Sequence, residues 1–360
     1  MGAGLLGLSS ALSLAEEGHT VTVHEQHQPG AGASSKAAGL VSTMTWNDHD
    51  FRLIQETRGK IGEIISMAMI EGDPAARHLW KPYDSITIAH GDGLQVLDEV
   101  QAISERNTEE TERLSWQAAA KEFPGIRFEP GDEVLIAQED GAVEAGDLVS
   151  VLEGRCRAEE VHFETGRVTD LHTLDGKVVV AGGAWTHGLL AAHGAELPMA
   201  AFRTQLASIA HPGSLELPMV HDTRHGFYLR PESDGSLLAG DGTILKPHDP
   251  DHYDEAADPS FRESIAERML QRVAGAETAH IRNAWAGLCV ATPDRHPLCG
   301  PVPGLDDVFV LTGDNGFGLM RCLALGDRLA DAVRTKVDAV LDPGRFVDVG
   351  EWEMKEGFGW

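Results

Sequence analysis

The chain has 360 residues, 42% of them hydrophobic and 24% charged, and carries a formal net charge of −28 at pH 7. The length supports two domains with cores of their own, no apolar run approaches the ~18 residues of a membrane span, and the acidity argues against nucleic acid or anionic membranes, whose phosphates would be repelled. Acids are spread along the chain, arginines (21) outnumber lysines (8) and no basic leader precedes a cleavage site, so the expected protein is cytoplasmic and hydrated heavily enough for a halophilic source.

Gly2, Gly4 and Gly7 form a G-x-G-x-x-G at the start of the chain. Leu5, Leu8, Leu12 and Ala15 recur at helical steps and predict one apolar face, and Gly18 is placed to end that helix in a left-handed turn. "HTVTVHE" reads as a short strand rich in β-branched residues, ending in Glu25, 18 residues beyond Gly7. Turn, helix, strand and acid in this order suit a dinucleotide. The glycines allow a tight turn, close approach to a pyrophosphate and close helix packing, while the helix N-terminus faces the phosphates and the acid faces the ribose hydroxyls. A buried parallel strand normally precedes such glycines, so a Val/Ile-rich run roughly four to eight residues upstream of Met1 is expected.

"HQPGAGASSKAAGLVS" follows, where Gly30, Gly32, Ser34, Ser35, Ala37, Ala38 and Gly39 let a large planar ligand lie on backbone with hydroxyls and N–H groups on a pyrophosphate. A flexible surface loop is the plainer alternative. In "TWNDHDFRLIQETR" a helix begins with Asp48 as the predicted N-cap. "GKVVVAGGAWTHGLL" is an apolar strand broken by Gly182 and Gly183. "HGFYLRPESDGSLLAGDG" reads as a hairpin turning at Ser233, Asp234 and Gly235. "VFVLTGDNGFGLMRCLALGDRLADAV" is a buried strand, a turn at Gly313, Gly316 and Gly318, and a helix with Leu319, Leu323, Leu325 and Leu329 on one side.

Cys156, Cys289, Cys299 and Cys322 are scattered, which fits free thiols in a reducing compartment. Two His-x3-His pairs, His221/His225 and His248/His252, are expected to be loop histidines and not metal ligands, Pro250 interrupting any helix across the second.

Six ordered motifs, "GAGLLGLSSALSLAEEGHTVTVHE", "GASSKAAGLVS", "VVVAGGAW", "FYLRPESDGSLLAGDGT", "WAGLCVATPDRHPLCGP" and "TGDNGFGLM", resemble the FAD-dependent D-amino-acid oxidase superfamily, in its glycine oxidase, sarcosine oxidase and D-amino-acid dehydrogenase branch. The resemblance spans most of the chain. It implies an α/β fold: a Rossmann-like FAD/NAD(P)-binding domain of the glutathione-reductase type (1–79, 141–198 and 291–360) with a second, antiparallel-sheet substrate domain (80–140 and 199–290). It further implies that Gly2, Gly4, Gly7 and Glu25 hold the ADP half of FAD. Ser34, Ser35, Lys36 and Gly39 would then lie along the pyrophosphate towards the isoalloxazine, and Gly182, Gly183 and Trp185 would make a second contact. Asn315, Gly316, Phe317, Gly318 and Leu319 match the turn facing the flavin pyrimidine end, where a helix N-terminus favours the negative charge of reduction.

The family reaction is hydride transfer from an amine-bearing carbon to flavin N5, followed by imine hydrolysis, with oxygen or an electron carrier as acceptor. Its amino-acid substrates call for a bidentate Arg clamp, yet Cys289 stands in "GLCV" where relatives carry that arginine. Three explanations stay open. Arg230 or Arg52 supplies the clamp, with Tyr228 adding a hydroxyl; the substrate lacks a carboxylate; or Cys289 carries the flavin covalently. His49 and Arg52 fall where sarcosine oxidases place basic residues over the flavin, although a solvent-facing helix start explains them equally. No lysine matches the one that serves oxygen in relatives, Lys246 lying beyond the equivalent strand. Oxidation of a 2-hydroxy acid, or an electron-relay or degenerate flavoprotein subunit, are the rival functions.

Overall fold

The structure, a computed structural model, describes residues 1–71, 76–211, 216–242, 249–346, 349, 352 and 354. The predicted first helix runs Leu5–Glu16 and buries Leu5, Leu8 and Leu12. Gly18, at φ +86°, ends it. It packs against the helices Ala145–Ala158 and Gly318–Val333. A Cβ on Gly326 would lie 2.7 Å from the Ser9 backbone, so a glycine in the last helix is what lets the two axes approach.

The strand Thr22–Glu25 pairs in parallel with His162–Thr165. Beside it stands a three-stranded sheet in which Val308–Thr312 runs parallel to Val178–Val180 and antiparallel to Leu298–Pro301. Met1 and Gly2 lie between these sheets, Gly2 N–H donating to the His24 carbonyl at 2.8 Å and Ala181 N–H to the Met1 carbonyl at 2.9 Å. A second three-stranded sheet joins Leu40–Val41, Gly141–Val143 and Trp80–Pro82.

The large sheet has eight strands, in the order 280–291, 200–210, 237–240, 227–231, 219–222, 85–90, 132–137 and 111–115. The predicted hairpin is present: Leu229 pairs with Ala239 and Pro231 with Leu237, and Gly235 takes φ +81° in the turn. One pairing departs from the antiparallel expectation. Met219–Asp222 runs parallel to Ser85–Ile88, so the sheet is mixed. This is the seam where strands from two distant chain segments meet, and no hairpin there obliges them to run in opposite directions.

One face of this sheet buries Ile86, Ile88, Val134, Ile136 and Leu229 against Phe261, Ile265 and Met269 of the helix Pro259–Arg272. That helix ends in Arg272, whose fully buried guanidinium pairs with Asp132 at 2.6 Å and with Asp222. Such a group is tolerated inside a core only because charged partners surround it. Among the described residues, no helix is long and apolar enough to cross a membrane.

Candidate active site

A cavity of about 1230 Å³ opens between the split sheets and the large sheet, above the usual range for a single small ligand. Met1, Gly2, Gly4 and Glu25 line one end; Ser34, Lys36 and Gly39 the middle, with Gly182, Gly183 and Trp185; and Tyr228, Cys289, Asn315, Gly316, Phe317, Gly318 and Leu319 the rest. The fold thus gathers most of the predicted positions on one wall-to-wall space. Gly7, Ser35, His49, Arg52 and Arg230 are not among its lining residues.

The glycines at the first end do physical work that other residues would spoil. Gly2 sits at φ +93°, and a Cβ there would overlap the Ala181 carbonyl. A Cβ on Gly7 would overlap the Gly2 carbonyl, so Gly7 shapes the loop from behind instead of touching the cavity. The first helix has no side-chain cap, and its Leu5 N–H donates to Ser34 Oγ at 2.9 Å. Glu25 accepts from Ala3 N–H at 2.8 Å and His27 N–H at 2.9 Å, which fixes its carboxylate at the loop. Ser35 is exposed and turns away from the cavity: its N–H donates to the Gly30 carbonyl at 3.2 Å, and a Cβ on Gly30 would meet its Oγ at 2.6 Å.

At the other end Asn315 is a clasp. Its Oδ1 accepts from Thr292 N–H at 3.0 Å and its Nδ2 donates to the Gly313 carbonyl at 2.6 Å. Gly318 begins the last helix at a point where a Cβ would overlap the Asp314 carboxylate. Asp314 is half-buried, and desolvation raises its carboxyl above the ordinary value despite Arg321 nearby. Trp46 stands 5.8 Å from Phe317 at 74° and 6.0 Å from His221 at 77°, making two roughly perpendicular walls. Trp46, His221 and Asp314 all line the cavity, but sequence reading singled out none of them for the site: Trp46 carries no motif, His221 was weighed only as half of a histidine pair, and Asp314 lies inside TGDNGFGLM beside the residues that were chosen.

The match that decides the family is direct: the model for FAD-dependent oxidoreductases (DAO) covers residues 1–332. The chain belongs to this family. Among relatives, it is 27% identical to a glycine oxidase of Pseudomonas aeruginosa over 97% of this chain and 98% of that one. It is 25% identical to the glycine oxidase of Geobacillus kaustophilus over 94% and 93%. Among solved structures, L-proline dehydrogenase from P. horikoshii superposes with a TM-score of 0.84 at 18% identity, covering 98% and 97% of the chains. Glycine oxidase from Geobacillus kaustophilus gives 0.81 at 22%, covering 96% of each.

For a member of the FAD-dependent oxidoreductases, four sequence expectations need correction. Arg230 is no substrate clamp: it is 1% exposed, its Nη2 donates to Glu144 at 3.0 Å, its Nη1 to the Pro231 carbonyl at 2.9 Å, and its Nε to the Ala38 carbonyl. Arg52 is exposed on the helix Asp48–Glu71, its Nε near Asn107. His49 is held by Asp338 at 3.0 Å and faces His296, not the cavity. The cap of that helix is Asn47, whose Oδ1 accepts from Asp50 N–H at 2.7 Å. Asp48 instead takes Arg106 at 2.9 Å. Helix geometry explains both basic residues: once Asn47 fixes the start, Phe51, Leu53 and Ile54 claim the buried face and Arg52 is left outside.

Tyr228 and Cys289 do line the cavity, and burial pushes the phenol and the thiol well above their ordinary values. All four cysteines are free thiols. The histidines of the first pair take different partners. His225 bonds Asp222 at 2.7 Å while His221 stands against Trp46. His252 pairs with Asp249 at 2.9 Å, whereas His248, like Lys246, lies outside the described residues. A different grouping, His49, Asp50 and His296, brings potential ligand atoms within 4.8 Å of one another, but Asp50 is committed to Arg321 and Asn47.

Burial lowers His221 to about 4 from 6.5. The unfolded chain therefore binds more protons than the folded one between these values. The associated stability is complete above pH 6.5 and is lost as pH falls through 4, by about 3 kcal/mol in all. Asp140, raised by burial to about 6, runs the opposite way between pH 4 and 6, so His221→Gln is the appropriate comparison. Urea unfolding at pH 7 and pH 4.5 is expected to show wild type losing about 2 kcal/mol more than the variant.

Proposed function

We propose that this FAD-dependent oxidoreductase oxidises the C–N bond of a small amine or amino acid. The reading is carried by one continuous cavity that runs from a glycine-framed cradle to an aromatic end, in a chain matched along nearly its whole length by glycine oxidases. The cradle fits the cofactor on its own geometry: Gly4 has only the Ser34 hydroxyl, at 2.9 Å, near its Cβ position at the helix start, and Gly32 has only the Trp185 ring, at 3.8 Å, near its own. We further propose 1–79, 141–198 and 291–360 as the FAD domain and the remainder as the substrate domain.

In this reading Gly2, Gly4 and Glu25 hold the ADP half, and the hydroxyl of Ser34 and backbone of Gly39 border the middle. Gly316 to Leu319 bring the start of the last helix to the flavin end. FAD, when bound, supplies the two-electron acceptor. The protein supplies a dry wall of Trp46, Tyr228 and Phe317 and keeps His221 uncharged at neutral pH, so the reacting amine meets a low-dielectric surface.

The deciding experiment is an anaerobic spectrophotometric screen of the FAD-loaded protein. Bleaching of the flavin by amines or amino acids is the expected result; bleaching by 2-hydroxy acids alone would replace this reading with hydroxy-acid oxidation. Because the thiolate, not the thiol, bonds to a flavin and the Cys289 thiol is pushed upwards, acid denaturation of the same sample is expected to leave all yellow colour in the supernatant.

A further inference from the structure

An irregular segment, residues 249–258, runs beside the middle of the cavity, where Asp249, Pro250, Asp251, Tyr253 and Glu255 line it. Its two ends are held in different ways. The end that leads into the helix Pro259–Arg272 is bolted to the large sheet. Buried Arg203 donates from Nε to the Asp254 carbonyl at 2.9 Å and from Nη1 to the Asp258 carboxylate at 3.0 Å. Ala286 N–H donates to the Glu255 carbonyl at 2.8 Å, and Ala256 forms a bridge with Trp285.

The other end reaches across to the split sheets and meets them through side chains. Asp251 accepts both Nη groups of Arg167, each at 2.9 Å, and the Trp185 indole N–H at 2.8 Å. Arg167 follows the strand His162–Thr165 and Trp185 follows Val178–Val180, so this one carboxylate joins both sheets to the segment. Lys36 adds a second fastening, donating to the Tyr253 hydroxyl at 2.8 Å and pairing with Glu255 at 3.0 Å. The Arg167 and Asp251 side chains are 52% and 39% exposed. A pair so exposed contributes little, even when bidentate, and breaks more readily than bonds to a buried arginine.

We propose that residues 249–253 form a hinged strap over the dinucleotide path. Latched by Asp251, it closes the middle of the cavity; released from Arg167 and Trp185, it lets FAD enter or leave. The inference rests on the FAD placement above and not on the substrate. Opening breaks contacts at the exposed end, while the Arg203 end stays attached as the hinge, so the large sheet need not unfold. A gate has its own kinetic signature. Where entry and departure both wait for opening, a looser latch speeds them alike and leaves affinity nearly unchanged. A residue that only touches FAD changes departure and weakens binding to match.

Flavin fluorescence reads both rates, entry on mixing apoprotein with FAD and departure on dilution. Asp251→Ala is expected to raise both at least fivefold, with the dissociation constant within twofold of wild type. Glu153→Ala, which removes an exposed arginine pair on the helix Ala145–Ala158, is expected to change neither. In the apoprotein, chymotrypsin cleavage after Tyr253, identified by fragment mass, is expected to quicken in Asp251→Ala and so reads the latch without FAD. Unchanged cleavage overturns the latch. Faster cleavage with unchanged FAD rates, or faster departure matched by weaker binding, overturns the gate. Gly7→Ala, which disturbs the first glycine loop and not the strap, reads the placement separately: loss of colour there, with FAD rates indifferent to Asp251, ends the gate alone.

Discussion

Gly7→Ala is expected to yield a folded protein without colour. Gly7 lies in the first turn of the first helix, and a methyl there would overlap the Gly2 carbonyl. Gly2 cannot retreat, because its own Cβ position is filled by the Ala181 carbonyl and its N–H is bonded to His24. The loop must therefore move off the sheet, taking Gly4 and the helix N-terminus out of position. Overpacking of this kind costs about 1–3 kcal/mol of stability, while a shift of the phosphate cradle is expected to weaken FAD at least a hundredfold, about 2.8 kcal/mol. The ratio of flavin to protein absorbance after gel filtration reads the loss. Gly154→Ala is the control: it sits in the helix Ala145–Ala158 with open space around its Cβ. It is expected to keep full colour and to gain up to about 1 kcal/mol from better helix propensity. A yellow Gly7→Ala protein with unchanged affinity would remove the first glycine loop from the cofactor site.

The second large effect is at Arg230. Burial works against ionising Glu144, yet the hydrogen bond and charge of Arg230 hold its carboxyl below the ordinary value. Arg230→Ala deletes that partner, leaves Glu144 to Lys81 alone and frees the buried Ala38 and Pro231 carbonyls, an effect of about 3 kcal/mol. Since Ala38 adjoins Gly39, whose Cβ position is filled by the Val143 carbonyl and lies 3.3 Å from Arg230 Nη2, the variant also loosens the loop bordering the middle of the cavity. Guanidinium unfolding is expected to show this loss, with Arg230→Met losing less because it refills the volume. A substrate clamp would behave in the opposite way, raising KM with stability intact.

These two positions also mark what a sequence discloses. The glycine loop, Glu25, the hairpin around Gly235 and the turn before the last helix were legible because each is a local pattern: positive φ, period and spacing are written within a few residues of one another. Arg230 was misread for the converse reason. It stands on a predicted strand beside Tyr228, but its partner Glu144 is 86 residues away in the chain, and no spacing records that pairing. The same holds for Trp46 and His221, which meet only because the strand Met219–Asp222 joins the large sheet. Its parallel pairing with Ser85–Ile88 was equally unreadable. Asp48 and Asn47 are both good caps, and which one turns inward is settled by Arg106 drawing Asp48 away.

The cavity draws its walls from residues as far apart as Met1 and Arg321, alternating between the two chain segments of the large sheet and those of the split sheets. Whatever fills it therefore touches nearly every cooperative unit of the molecule at once. By mass action, a ligand present at a thousand times its dissociation constant adds about 4.1 kcal/mol to folding, comparable with the loss foreseen at Arg230. The cofactor would then be a keystone as well as a reagent: a cell short of riboflavin would lose not only the enzyme's turnover but much of its resistance to proteases.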